Sequence, residues 1–102
     1  MTYETALSAL ADPTRRAVFE TLRFKEHTVS EIAEGQSVSR PAVSQHLKIL
    51  QQAGLVAARP EGTKRYYYVR HEGLEALVDY LERFWSDVLT AYADRLSAPP
   101  DE

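Results

Sequence analysis

Val38-Ser39-Arg40-Pro41-Ala42-Val43-Ser44-Gln45-His46-Leu47-Lys48-Ile49-Leu50 carries the clearest helical pattern in the chain. Ser39 stands where a cap satisfies the free N–H groups of a first turn. Pro41 suits the opening positions, because its missing N–H is not needed there. Val43, Leu47 and Leu50 recur at i, i+4 and i+7, one face of a helix. Pro41, Ser44, Gln45, Lys48 and Gln52 fall on the opposite side. Gly54 closes the helix in a left-handed conformation that other residues avoid. No acidic residue lies between Gln36 and Pro60, so the outward face of this helix carries no carboxylate.

Upstream, Val29 to Glu34 predicts a short helix that buries Ile32 and Ala33. Gly35 is expected to permit a tight turn after it, with Val38 as a core contact. Short helix, Gly turn and second helix together predict a helix-turn-helix. Asp12-Pro13 starts an earlier helix, with Asp12 as cap and Pro13 in the first position. That helix is expected to run to about Phe24 with Val18, Phe19 and Leu22 inward. Tyr3, Leu7 and Leu10 suggest one more short helix before it, and Lys25 to Thr28 form a break.

Downstream the period changes. Leu55 to Arg59 reads as a strand, Glu61-Gly62-Thr63-Lys64 as a turn, and Arg65 to Val69 as a tyrosine-rich second strand. The pair makes a β-hairpin with Arg59, Lys64 and Arg65 at or beside its tip. His71 opens a long helix to about Leu96. In it Leu74, Val78, Leu81, Trp85, Val88 and Tyr92 form an apolar stripe, widened by Leu77 and Phe84. Asp79 and Arg83 stand at i, i+4 and predict a surface ion pair. The expected fold is mainly α with a small hairpin: a winged helix-turn-helix of about five helices and a two-stranded wing. It forms one domain over 1–98, with a terminal helix at about 72–96 and a disordered tail at 99–102.

Charge distribution points to a partner. The 102 residues carry a net charge of −3, yet residues 36–70 hold six basic side chains against Glu61 alone. A basic middle between acidic ends is where a polyanion would sit. Ser39, Arg40, Pro41, Ser44, Gln45 and Lys48 occupy the outer, N-terminal part of the second helix, the part that enters a major groove in a helix-turn-helix. Gln pairs with adenine N6/N7, Arg and Lys with guanine or phosphate, and Ser with either. Arg59, Lys64 and Arg65 would reach phosphates or a minor groove. Double-stranded DNA is therefore the expected partner. The alternative is a winged-helix module that binds another protein, because the fold does not guarantee DNA binding. No nucleophile elbow, phosphate loop or paired-carboxylate motif suggests an enzyme, and no cofactor is expected.

Three stretches, Ala9-Leu10-Ala11-Asp12-Pro13-Thr14-Arg15-Arg16, then Val38 to Leu50, then Ala53-Gly54-Leu55-Val56, resemble the ArsR family of bacterial winged-helix regulators in order and spacing. The resemblance covers about residues 5–96. It implies a dimeric repressor that binds an inverted repeat. Many such proteins sense metals through a Cys-x-Cys pair on the short helix, a place held here by Thr28-Val29-Ser30. Others use His and carboxylates on the terminal helix, and here no His follows His71. With no cysteine and with His27, His46 and His71 dispersed, the resemblance is to the non-metal branch, and the effector is unknown.

A terminal helix of about 37 Å, at 1.5 Å per residue, is long for one small core. One side can cover the chain's own domain while the other meets a second copy. Leu81, Trp85, Val88 and Tyr92 are the expected homodimer contacts, centred on Trp85 and Val88, with Tyr3 and Leu7 of the first helix beside them. The chain has no apolar run near ~18 residues and no basic-then-apolar start, so no membrane association and a cytoplasmic location are expected.

Overall fold

The computed structural model describes residues 2–97; the expected tail at 99–102 lies outside them. The order is α1 (Tyr3–Ala11), α2 (Pro13–Glu20), α3 (Val29–Glu34), α4 (Arg40–Gln52), β1 (Val56–Glu61), β2 (Lys64–Val69) and α5 (His71–Ser97). This is a winged helix-turn-helix: five helices and an antiparallel hairpin.

Each of the first four helices begins on a side-chain oxygen that accepts a backbone N–H. Asp12 accepts from Thr14 at 2.9 Å and Arg15 at 3.0 Å. Thr28 and Glu31 form a reciprocal capping box, with the Glu31 N–H donating to Thr28 Oγ1 at 3.2 Å and the Thr28 N–H donating to Glu31 Oε1 at 2.9 Å. Ser39 Oγ accepts from the Ala42 N–H at 3.3 Å. These oxygens replace the water that the unpaired first-turn amides would otherwise need.

The core gathers Val18, Leu22, Ile32, Val43, Leu47, Leu50, Leu55, Val56 and Tyr67, closed on one side by Ala6 and Ala9 of α1. The stripe Val43, Leu47 and Leu50 is wholly inaccessible to solvent. Small residues on α1 let its backbone approach closely. Arg15 and Arg16 of α2 then donate to the last carbonyls of α1, Ala9 and Leu10, and fix the angle between the two helices.

Three local expectations are corrected. α2 ends at Glu20, not Phe24. The Thr21 hydroxyl donates to the Val18 carbonyl at 2.6 Å, and the Leu22 N–H tightens onto Phe19 at 3.0 Å. The chain thereby turns Leu22 into the core and leaves Phe24 89% exposed. Gly35 has φ −88°, which any residue adopts, so left-handed freedom is not what this turn requires. Asp79 and Arg83 make no ion pair within 4.0 Å. Both side chains are exposed, and an exposed pair gains little by ordering them.

α5 does not fold back on the domain. Leu74 and Leu77, in its first two turns, pack against the core. Beyond them Leu81, Phe84, Trp85, Leu89, Tyr92 and Leu96 are each about half exposed or more. Their stripe projects, and the molecule measures 72 × 25 × 21 Å. Its radius of gyration is 18.8 Å, against ~13 Å for a compact chain of this length. No described helix is long and apolar enough to cross a membrane.

Candidate nucleic-acid interface

The three core residues of α4 face inward, so the opposite stripe must face outward. Ser39, Arg40, Pro41, Ser44, Gln45 and Lys48 are all exposed. From Pro41 to Lys48 the stripe is roughly 10 Å long at 1.5 Å per residue, close to the ~12 Å width of a major groove. α3 packs on α4 from behind and leaves this face open. The N-terminal end of α4 brings Arg40 to the same edge as Ser39.

The wing forms because its register is unambiguous. Val56 pairs with Val69, Ala58 with Tyr67, Arg59 with Tyr66 and Glu61 with Lys64. Tyr67 alternates inward and is buried, whereas Tyr68 is exposed. The two-residue connection Gly62-Thr63 has φ +61° at Gly62, the one position of this turn that needs glycine. Lys64 and Arg65 follow it, exposed and, among the described residues, without an ion-pair partner. A groove of about 510 Å³ separates the tip from α3, with Thr28, Glu31 and Glu34 on one wall and Lys64, Arg65 and Tyr66 on the other.

Arg59 is exposed too, but differently placed. Its guanidinium donates to both carboxylate oxygens of Glu26, through Nε at 3.3 Å and through Nη2, and through Nη1 to Glu61 at 3.3 Å. It also lies 5.0 Å from the centre of the Tyr66 ring. The Arg59 pair holds the Glu26 carboxyl below the usual carboxylate range and raises Arg59 above its own. Sequence reasoning missed Glu26, which stands 33 residues before Arg59 with no periodicity linking them. It also missed a short extension of the wing. His27 and Tyr67 exchange backbone hydrogen bonds of 3.0 and 2.8 Å, tying the α2–α3 connection to β2.

The three histidines lie apart. His27 lies 3.5 Å from Glu31, His71 starts α5, and the buried Nδ1 of His46 has no hydrogen-bond partner among the described residues. Among the described residues no three His, Cys, Asp or Glu side chains cluster as metal ligands would. The expected interface residues on α1 and α5 form a separate surface. Tyr3 stacks on Tyr80 with ring centres 4.1 Å apart, and Leu7 remains 44% exposed beside them. Trp85, whose place in the apolar stripe suits either a core or an interface, is 61% exposed and lies outside the core that the described residues form.

Residues 10–59 match a helix-turn-helix domain family. The chain is 48% identical over 99 residues to the HTH-type transcriptional regulator Rv2034 of Mycobacterium tuberculosis, spanning 97% of this chain and 92% of that protein. It is 33% identical to the transcriptional repressor SdpR of Bacillus subtilis, over 74% of this chain and 84% of the other. Among solved structures, one of a possible transcriptional regulator for arsenical resistance aligns with a TM-score of 0.71 and 42% identity, over 94% of this chain and 96% of the other. A homodimeric winged helix-turn-helix DNA-binding domain from Mycobacterium bovis, described as a possible ArsR-family regulator, aligns with a TM-score of 0.64 and 26% identity, over 97% and 85%. These matches are regulators of transcription rather than enzymes.

Proposed function

Because the chain belongs to the ArsR-like family of helix-turn-helix transcriptional regulators, we propose that it is a homodimeric repressor that reads an inverted-repeat operator. DNA binding itself comes with the family. The observation that carries the finer reading is the solvent-exposed, carboxylate-free face of α4, together with a wing tip whose Lys64 and Arg65 make no ion pair among the described residues. In this reading Ser39, Arg40, Pro41, Ser44, Gln45 and Lys48 enter the major groove. Gln45, on the second turn, meets base edges. Lys64 and Arg65 hold the flanking phosphates.

The exposed apolar stripe of α5 supports the dimer, since an apolar surface of this length on a lone chain is unfavourable in water. Leu81, Trp85, Val88 and Tyr92, with Tyr3 and Leu7, are its proposed contacts. The homodimeric relative and the repressor named above point the same way. Two-fold symmetry would place the two copies of α4 on half-sites about 34–36 Å apart. The solved relative described by arsenical resistance raises the question of a metal, but this chain has no cysteine to supply a thiolate. We place it with regulators that do not sense metals.

The test is selection of bound duplexes from a random pool, followed by sequencing. A two-fold symmetric consensus bound as two chains per site is the expected result. Recovery of no consensus, with capture of a protein partner instead, would favour the protein-binding alternative.

A further inference from the structure

The wing carries three cations, yet one of them is already engaged. Every guanidinium nitrogen of Arg59 faces a carboxylate oxygen of Glu26 or Glu61. The three side chains together carry a formal charge of −1. To reach a phosphate, Arg59 would have to leave both carboxylates and bring two bare anions toward the DNA backbone. Lys64 and Arg65 face no such competition among the described residues.

The placement of the pair suggests another task. Glu26 directly precedes His27, whose backbone is bonded to Tyr67. Arg59 lies on β1 opposite Tyr66 and reaches across that ring to Glu26. The ion pair therefore spans from the outer wing strand over β2 to the segment that caps α3. Toward the tip the wing stands off α3 across the open groove, so packing does not hold it there. A lone exposed ion pair contributes little to stability. A bidentate pair stacked on an aromatic face supplies direction as well as attraction.

We infer that Arg59 is a positioning residue: it braces the wing against the α2–α3 connection so that Lys64 and Arg65 meet the backbone in register with α4, and it makes no phosphate contact itself. This rests on the DNA-binding reading above.

The test uses the full chain, with Arg59→Gln, Glu26→Gln and the double variant. Each is checked for folding by thermal unfolding and for assembly by light scattering. Binding to the selected consensus duplex and to a scrambled duplex is measured across a salt series. Arg59→Gln is expected to weaken consensus binding about three- to tenfold and to lower the salt slope, because Lys64 and Arg65 lose their register with the backbone. Glu26→Gln is expected to weaken consensus binding similarly, although it removes an anion. The double variant should be no worse than Arg59→Gln, since both changes break one contact. Glu26→Gln tightening both duplexes, while Arg59→Gln weakens both alike and lowers the salt slope by about one, would make Arg59 a phosphate contact and overturn the inference. Unchanged consensus binding in both single variants would overturn it too. If the parent chain cannot tell consensus from scrambled duplex, the DNA reading has failed instead.

Discussion

Gly73 abuts Gly54: a Cβ on Gly73 would lie 2.1 Å from the Gly54 carbonyl oxygen. Gly54, at φ +77°, ends α4, and the Arg70 N–H donates to the Leu55 carbonyl at 2.8 Å. The start of α5 is thus pressed onto the end of α4, with no side chain between them. The helix proposed to join two copies and the helix proposed to read DNA meet at this point, so the angle between them is set by backbone contact.

Gly73→Ala tests that contact. In an ordinary exposed helix this change gains roughly 0.5–1 kcal/mol. Here the methyl group meets backbone that cannot swing aside, and a net loss of about 1–3 kcal/mol is expected. Urea unfolding of the two proteins decides the sign; a more stable variant would show that the junction yields.

Trp85 is the centre of the projecting stripe. Trp85→Asp is expected to weaken self-association at least tenfold, about 1.4 kcal/mol or more, while the circular dichroism of the domain is retained. Light scattering across a dilution series reads it. A parent chain that is monomeric at micromolar concentration would contradict the dimer outright.

Gln45 and Lys64 should separate in their effects. Gln45→Ala is expected to lose about 1–3 kcal/mol of discrimination against a wrong base. Lys64→Ala should weaken consensus and scrambled duplexes alike and reduce the salt slope by about one. Binding must be followed across salt concentrations, because one condition cannot separate the two effects. The opposite pattern would assign base reading to the wing.

Acid should loosen the helix starts. Asp12 is held below its usual pKa by the Arg15 backbone N–H, aided by that of Thr14, and Glu31 by the Thr28 N–H. A carboxylate whose folded pKa is depressed contributes stability at neutral pH and loses it as pH falls through the folded value. Melting temperature should therefore drop below about pH 4. Asp12→Asn keeps a capping oxygen but cannot titrate, so its drop between pH 6 and pH 3 should be smaller than the parent's. Equal drops would remove Asp12 from the acid response.

Zinc should not act as an effector. Calorimetry is expected to give no stoichiometric sub-micromolar binding, since structural and sensory sites draw on thiolates and grouped imidazoles. A tight zinc site that also changed DNA affinity would place the chain in the metal-sensing branch.

The helices, their caps and the wing were legible in the sequence because each depends on residues a few positions apart. Ser39 finds Ala42, Asp12 finds Thr14 and Arg15, and Val43, Leu47 and Leu50 align by helical period alone. The outward face of α4 followed, since burying one face exposes the other. Tertiary structure decided what joins distant residues. α2 stops early because Leu22 has a core to enter. Arg59 turns to Glu26 because folding brings the α2–α3 connection beside the wing, and no pattern in the chain records that approach. The stripe of α5 could have covered the chain's own domain or another copy's. The packing at Gly73, Leu74 and Leu77 sets the direction of the helix, and along it Trp85 is left 61% exposed among the described residues.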